Sequence, residues 1–219
     1  MVDGMKALIA SGSGRYADPW HPFPRTSPLI AEVLTAAGFS VEFDDDVDAA
    51  MARLDGVDLL VLNAGGPSES GPGTTPQESI DGFASALERG IGILAVHCAL
   101  SSMPDYPEWA STVGGRWVQD VSWHPPIDTA HVTGLALPDG TPISDFDVFD
   151  ERYLALEQLE PRHTVAEHHH EGDTAPAAWV REVGASRAAV DTLGHDEKSY
   201  ESAGRRELMT RLALWAVRA

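Results

Sequence analysis

Short apolar runs alternate with segments of helical periodicity through the first half of the chain. The apolar runs lie at 5–10, 41–44, 57–63 and 91–97. Runs of this length, bounded by turn residues, are typical of strands that are buried on both faces of a parallel sheet. The intervening segments place apolar side chains three and four positions apart, which is the spacing of one helix face. This alternation predicts parallel strands joined by right-handed helical crossovers.

Local signals indicate where the first two helices begin and end. Ser27 followed by Pro28 predicts an N-cap and a proline at the first helical position, and Gly38 predicts the end of this helix. A short second helix is predicted over 48–54. Both segments therefore act as crossovers between neighbouring strands.

The third and last helices carry comparable signals. Thr75 and Glu78 have the spacing of a capping box and predict a third helix that ends at Gly90. Residues 202–218 predict a closing amphipathic helix. Its sheet-facing side chains are Leu208, Leu212 and Trp215. Together these elements predict a three-layer, doubly wound α/β fold of the flavodoxin-like type, with a mostly parallel sheet.

The strict alternation ends after the fourth strand. Residues 101–150 are rich in Pro, Asp, Trp and Gly, which predicts irregular loops and extra edge strands over the carboxyl end of the sheet. Strands are predicted again at 164–170, 177–183 and 188–193, the last two as a hairpin. We expect one domain over 1–219.

Composition narrows the classes of partner. The net charge of −19 disfavours nucleic acid and anionic membranes. The single cysteine excludes an internal disulfide, the N-terminus has no leader-like pattern, and no apolar stretch could span a bilayer. We therefore expect a cytoplasmic protein.

Two segments of the chain are rich in glycine. Residues 11–14 and 64–73 lack the Gly-x-x-x-x-Gly-Lys-Ser/Thr pattern that a phosphate loop requires. Both segments are predicted to be turns.

The fourth apolar run ends in His97 and Cys98, the only cysteine. The carboxyl end of such a strand faces the crevice where open α/β sheets bind ligands. Adjacent strand residues point to opposite faces, so this pair does not form a nucleophile and base within hydrogen-bond reach. A base for Cys98 would have to come from elsewhere, such as His195. A small, buried and unreactive thiol is favoured.

Nine histidines are many for a chain of this length, and several lie at strand ends or in loops. They suggest a histidine-lined crevice with metal-binding or proton-transfer capacity. The run His168–His170 is an exception, since neighbouring residues of an extended segment point to opposite faces and three of them cannot meet at one metal. We interpret this run as a solvated strand edge. The other candidates are His21, His97, His124, His131 and His195.

Residues 150–153 bring two acids, an arginine and a tyrosine together. In an extended segment Glu151 and Tyr153 share one face, so an acid and a phenol could enter the pocket together. A surface charge cluster is the alternative. Tryptophans could cover the apolar faces of a sugar, although core packing is their usual role. They are Trp20, Trp109, Trp117, Trp123 and Trp179.

These motifs occur in an order that resembles the ThuA-like family, the trehalose-utilisation proteins, whose fold is related to class I glutamine amidotransferases. The resemblance covers nearly the whole chain. The matching pieces are His21, Ala95-Val-His97-Cys-Ala99, Gly114-Gly115 with His124-Pro125, Asp150-Glu-x-Tyr153, Ala178-Trp179, Leu193-Gly-His195 and Trp215-Ala216.

The resemblance also bears on the strand end. Amidotransferases place a Gly-x-Cys-x-Gly nucleophile elbow here, whereas this chain has His97 at the central position, between Ala95 and Ala99. Cys98 falls one residue late. The resemblance therefore implies a preserved elbow without glutaminase chemistry, with His97 exposed at the head of a helix.

The function implied by the resemblance is that of an intracellular enzyme of carbohydrate metabolism, acting on a disaccharide or a keto-sugar. We expect His97, Glu151 and His195 to be catalytic, with Glu151 as general acid or base. The expected substrate-binding residues are His21, His124, Tyr153, Trp123 and Trp179.

A divalent metal such as zinc is the cofactor these histidines suggest, bound by His97, His124 and His195. Three imidazole nitrogens and an open position would activate a water or polarise a carbonyl. The expected partner is a small carbohydrate, and self-association into a homo-oligomer is left open. Two other functions also stay open, a non-catalytic sugar-binding or regulatory protein on this scaffold and a cysteine hydrolase that uses Cys98.

Overall fold

The computed structural model describes residues 4–68, 71 and 73–219. The expectation about the N-terminus and the turn predicted over 64–73 extend onto residues 1–3, 69, 70 and 72, which lie outside the described residues.

A large mixed sheet forms the centre of the protein. Its strands are β1 (Lys6–Ser11), β2 (Ser40–Asp44), β3 (Leu59–Asn63), β4 (Gly92–Val96), β6 (Asp128–Gly134), β7 (Phe146–Asp150), β9 (His163–His170), β10 (Asp173–Val183) and β11 (Ser186–Asp191). A separate pair is formed by β5 (Gly115–Arg116) and β8 (Glu157–Gln158). The nine strands have the order β2-β1-β3-β4-β11-β10-β9-β6-β7.

The first five strands in this order run parallel, and the remaining pairs are antiparallel. The predicted α/β fold class, with a mostly parallel part and extra edge strands, is confirmed. The predicted hairpin is also confirmed, since Val183 pairs with Ser186 across the β10–β11 turn.

Helices cover both faces of the sheet. They are α1 (Phe23–Ala36), α2 (Val47–Ala52), α3 (Gln77–Arg89), α4 (Trp109–Val113) and α5 (Ala203–Ala216). Alternate residues of β1 point to opposite faces, so Ile9 packs in the core under α1 and α5 while Leu8 packs in the core under α2 and α3. The predicted apolar face of α5 is buried at Leu208, Leu212 and Trp215. No helix within the described ranges is long and apolar enough to cross a membrane.

Two predicted helix starts are wrong. Helix α1 begins at Phe23 because Pro24 already supplies the fixed backbone angle of the first turn, which leaves Pro28 inside the helix. The Ser27 hydroxyl, which was expected to be an N-cap, instead bonds to the Ser11 hydroxyl. Helix α3 begins after Pro76 without a side-chain cap, because the Thr75 hydroxyl accepts a hydrogen bond from Arg15.

Candidate active site

His97 begins a short 3₁₀ helix, His97–Leu100, directly after β4. Its backbone φ is 48°, a left-handed conformation that costs a residue with a side chain roughly 1–3 kcal/mol. The imidazole is only 1% exposed. The expectation that the elbow exposes this side chain is wrong, because the rings of Tyr153, His21 and His195 pack against it.

Two hydrogen bonds determine the tautomer of a neutral His97. Its Nδ1 lies 2.6 Å from the carbonyl oxygen of Thr192. A carbonyl can only accept, so Nδ1 carries the proton and Nε2 keeps a lone pair. The Tyr153 hydroxyl lies 2.8 Å from Nε2 and donates to it. Burial raises the pKa of Tyr153, so the phenol keeps the proton that it donates.

His21 lies in the loop between β1 and α1 and is oriented by an acid. The Asp18 carboxylate accepts from the His21 Nδ1 at 2.8 Å and from the backbone N–H of His21 at 2.8 Å. The Nε2 of His21 is buried without a hydrogen-bond partner. Burial lowers the pKa of His21, which favours a neutral ring with its lone pair on Nε2.

Glu151 follows β7 and lies between two histidines. One carboxylate oxygen lies 3.4 Å from the Nε2 of His97, and the other lies 3.3 Å from the Nδ1 of His195. Burial alone would raise the pKa of Glu151, but the contact with His195, joined by His97 when that ring is protonated, outweighs burial and lowers the pKa. The carboxylate in turn raises the pKa of His195. Glu151 is therefore ionised.

Asp150 positions Glu151 and His195 by accepting hydrogen bonds from their backbone N–H groups. Its carboxylate accepts from the N–H groups of Glu151 at 2.8 Å, Gly194 at 2.8 Å and His195 at 3.2 Å, and from the Ser199 hydroxyl. Sequence reasoning missed this role, since only the alternate face of the segment was expected to matter. The sequence does show Asp150 directly before Glu151, and this pair of adjacent acids could have indicated that Asp150 supports the site.

These contacts gather one set of donor atoms. Ring nitrogens and carboxylate oxygens lie within 4.8 Å of one another in what we call the histidine–glutamate cluster. The cluster comprises His21, His97, Glu151 and His195. Imidazole nitrogens and carboxylate oxygens are among the ligands that zinc takes in proteins.

The cluster opens into a cavity of about 710 Å³ at the carboxyl end of the sheet. Polar groups and the rings of Trp20 and Trp117 line it, together with Cys98. Burial raises the pKa of the Cys98 thiol well above its ordinary value, and the Sγ lies 3.7 Å from the Tyr153 hydroxyl. A protonated, buried thiol is a poor nucleophile, which disfavours the cysteine-hydrolase hypothesis.

The family assignment rests on a sequence comparison over nearly the whole chain. A family model named ThuA, described as trehalose utilisation, matches residues 6–216. The chain belongs to the ThuA family. No curated protein matches it.

Solved structures share the fold of this ThuA family protein. A putative ThuA-like protein from Parabacteroides merdae is 17% identical, with 98% of this chain and 90% of that chain covered and a TM-score of 0.79. One from Bacteroides uniformis is 15% identical, with 97% and 91% covered and a TM-score of 0.63. A β-galactosidase from Halorubrum lacusprofundi is 13% identical, with 98% of this chain but 30% of that chain covered and a TM-score of 0.62. At these identities the likeness concerns the fold.

The structure of the ThuA family protein brings most of the predicted site residues together. The cavity is lined by His21, His124, Glu151, Tyr153 and His195. His97 does not line the cavity itself, and its ring packs against three of these side chains, those of His21, Tyr153 and His195. His124 does not belong to the histidine–glutamate cluster, contrary to the expected metal set, because it lies at the exposed side of Glu151 with 38% of its side chain accessible. His21 and Glu151 take part instead. Metal binding itself stays a prediction.

The two tryptophans expected to contact substrate lie elsewhere. Trp179 is fully buried, and its Nε1–H donates to the carbonyl of Val113 at 2.8 Å, so the expected substrate contact is wrong. Trp123 is 45% exposed but lies beside His170, outside the cavity lining. Trp20 and Trp117 line the cavity instead.

For the histidine run at 168–170, the predicted alternation between two faces is confirmed, but the predicted exposure to solvent is wrong in part. His169 is exposed and His168 is fully buried, because the two side chains point to opposite faces of the sheet. Strand β9 also lies between β6 and β10 rather than at an edge. Burial lowers the pKa of His168 to about 4. The interpretation as a solvated edge is therefore wrong for His168.

Proposed function

We propose that this ThuA family protein is a cytoplasmic enzyme of carbohydrate metabolism whose histidine–glutamate cluster holds a divalent metal ion such as zinc. The substrate class we propose is a disaccharide or an oxidised keto-sugar. The family description supports a role in sugar metabolism. The observation that carries the proposal is the convergence of three imidazoles and one ionised carboxylate within 4.8 Å.

In two of the histidines, the ring nitrogen that would not bind the metal has a hydrogen-bond partner of the kind that metal-binding histidines use. Metal-ligating histidines commonly donate their other N–H to a carboxylate or a backbone carbonyl. His21 has this arrangement with Asp18, and His97 has it with the carbonyl of Thr192. The Nε2 of His21 is buried and without a hydrogen-bond partner, so its lone pair is available to a cation.

The spacing of donor atoms also fits. Ligands of a tetrahedral zinc ion lie about 2.0–2.2 Å from the metal, which places them roughly 3.3–3.6 Å from one another. One oxygen of Glu151 lies 3.4 Å from the Nε2 of His97 and the other lies 3.3 Å from the Nδ1 of His195, so each oxygen has this spacing from one imidazole nitrogen.

Tyr153 and a cation would use the same lone pair of His97. The phenol donates to Nε2, so its O–H must turn away when that nitrogen binds a metal. Rotation about the C–O bond would leave the ring in place and free the O–H for the cavity that Tyr153 lines. Tyr153 then serves as a hydrogen-bond donor to a substrate oxygen.

A bound divalent ion would polarise a sugar carbonyl or lower the pKa of a water molecule. We assign proton transfer to His124. Its Nδ1 lies 2.9 Å from the carbonyl of Pro125, which leaves Nε2 as an acceptor at the cavity. Glu151, whose low pKa makes it a weak base, acts as a ligand rather than as the general base.

Metal analysis of protein prepared without a histidine tag tests the proposal. We expect close to one equivalent of zinc in the wild type and in His131→Gln, whose imidazole is exposed and lies outside the cluster. His21→Gln should lose the metal. A metal-free wild type that is indifferent to chelators and to added zinc would overturn the metal site.

Turnover is tested separately with a panel of disaccharides and their keto derivatives. Conversion by the metal-loaded wild type, lost in His97→Ala with the fold retained, is the expected result. Tight carbohydrate binding without conversion would instead favour the non-catalytic sugar-binding protein.

A further inference from the structure

A second cavity of about 500 Å³ adjoins the candidate active site. Three side chains, Ser101, Trp117 and Gln119, line both cavities. We call the second cavity the aromatic groove, because Tyr106 and Trp109 also contribute to its walls. A ligand that contacts the histidine–glutamate cluster can therefore extend past Trp117 into this groove.

Four side chains of the groove direct their polar atoms to other parts of the protein. The Tyr106 hydroxyl donates to Asp48 at 2.7 Å, and the Trp109 Nε1–H donates to the carbonyl of Ala99 at 3.0 Å. The hydroxyls of Ser101 and Ser102 donate to backbone carbonyls. At the rim, the Nε–H of Arg116 donates to Glu157 at 2.6 Å.

This arrangement selects the chemistry of the occupant. A sugar ring carries several hydroxyls that lose free energy when they are buried without hydrogen-bond partners. An aromatic or aliphatic group has no such requirement, and it gains free energy from contact with apolar walls. The groove therefore favours an apolar group over a second sugar ring.

The backbone of the groove supports a ligand-binding role. Met103 lines the groove with a φ of 62°, a left-handed conformation that is strained for a residue with a long side chain. Strain of this kind concentrates at ligand-binding and catalytic sites. His97 and Met103, on one short segment, both adopt this conformation.

We propose that the aromatic groove binds the apolar, aromatic aglycone of a glycoside whose sugar ring lies at the histidine–glutamate cluster. The identification of the groove's occupant as an aglycone rests on the proposed function, since it requires a carbohydrate at the neighbouring site. The apolar character of the groove does not depend on the metal or on catalysis.

Binding measurements with defined probes test this assignment. The probes are 2-naphthol alone and matched methyl and phenyl glycosides of glucose and galactose, titrated into the metal-loaded protein. Ala110 lines the groove from α4, and Ala110→Phe fills it. Ser111→Phe is the matched control, because Ser111 is exposed on the same helix and does not line the groove.

We expect 2-naphthol to bind the wild type and Ser111→Phe alike, and Ala110→Phe roughly tenfold or more weakly. Phenyl glycosides should bind about tenfold more tightly than methyl glycosides, and Ala110→Phe should remove this advantage. Should Ala110→Phe fail to fold, perturbation of the Trp109 indole N–H resonance by 2-naphthol in the wild type provides a second readout, because Trp109 lines the groove and not the candidate active site.

The outcomes separate the two proposals. If 2-naphthol does not bind to a metal-loaded, active enzyme, the claim that the groove binds an apolar group is overturned and the proposed function stands. Binding of 2-naphthol without any preference for phenyl glycosides overturns the aglycone assignment. Binding of 2-naphthol to a protein that neither holds metal nor recognises carbohydrate overturns the proposed function and, with it, the aglycone assignment.

Discussion

The imidazole of His97 stacks on the phenol ring of Tyr153, with ring centroids 4.4 Å apart and planes inclined by 23°. The Tyr153 hydroxyl at the same time lies 2.8 Å from the Nε2 of His97. The phenol thus fixes the orientation of the imidazole and engages its only free lone pair. The proposed metal ion would compete with the hydrogen bond from Tyr153 for this atom.

This competition predicts that Tyr153→Phe affects zinc affinity and turnover differently. The variant keeps the stacked ring but loses the donor, so zinc affinity should be unchanged or higher. Turnover should fall by about 10²-fold or more, because a hydrogen-bond donor to the substrate is lost. Zinc competition titrations and kcat measurements check the two parts. Tyr200→Phe, which alters a buried tyrosine outside the cavity, should leave kcat unchanged.

Asp18→Asn should weaken metal binding without removing a ligand. The Asp18 carboxylate fixes His21 through two hydrogen bonds, and loss of such a support typically costs about 10–100-fold in metal affinity. Asp147→Asn is the matched control, since Asp147 contacts the exposed His131 at the same 2.8 Å outside the cluster. Equal zinc affinity in the two variants would contradict the role of Asp18.

His168→Leu should reduce the loss of stability at acid pH. Burial lowers the pKa of His168 in the folded protein to about 4, whereas a histidine in the unfolded chain has a pKa of about 6.5. Between these values the unfolded state binds more protons, so the wild type should lose about 1.4 kcal/mol per pH unit as the pH falls.

Urea unfolding between pH 4.5 and 7 measures this difference. Because other titrating groups contribute to both proteins, the slope of unfolding free energy against pH should be smaller in His168→Leu. Identical slopes would show that His168 titrates normally in the folded state.

Arg205→Met should destabilise the protein by about 3–5 kcal/mol, because it leaves Asp191 buried without its partner. The two side chains are fully buried and lie 3.2 Å apart. The Nη2–H of Arg205 also donates to the carbonyl of Leu193, in the turn that leads to His195. Burial raises the pKa of Asp191 to about 6, and Arg205 opposes this effect.

The double variant Arg205→Met, Asp191→Leu is the control for this prediction. Removal of both charges should recover much of the lost stability, as measured by urea unfolding at neutral pH. A single variant as stable as the wild type would show that the pair makes no net contribution.

The amino-acid sequence alone was sufficient for the fold class. Apolar strands that are buried on both faces produce continuous runs, and each run is followed by a segment with helical spacing. These are local properties of the chain. The position of His97 at the end of β4 follows in the same way, since the strand end is visible in the sequence.

The starts of helices were harder to predict from the sequence, and in α1 the reason is that two prolines both suit the first turn. Pro24 and Pro28 lie one turn apart and suit the first turn equally well, and only the packing of Phe23 in the core places the start at Phe23. Thr75 likewise has the pattern of a cap, but Arg15 engages its hydroxyl. Contacts from distant segments decide such cases.

The membership of the histidine–glutamate cluster was decided by tertiary structure. Strands β10, β9 and β6 lie between β11 and β7 in the sheet, yet Asp150 at the end of β7 bonds to the backbone of Gly194 and His195 after β11. These bonds bring Glu151 to His97 and leave His124 at the rim. The sequence by itself determined which side chains could bind a metal, because donor chemistry belongs to each residue. Only the folded chain decided which of them meet, because that depends on distances between loops far apart in sequence.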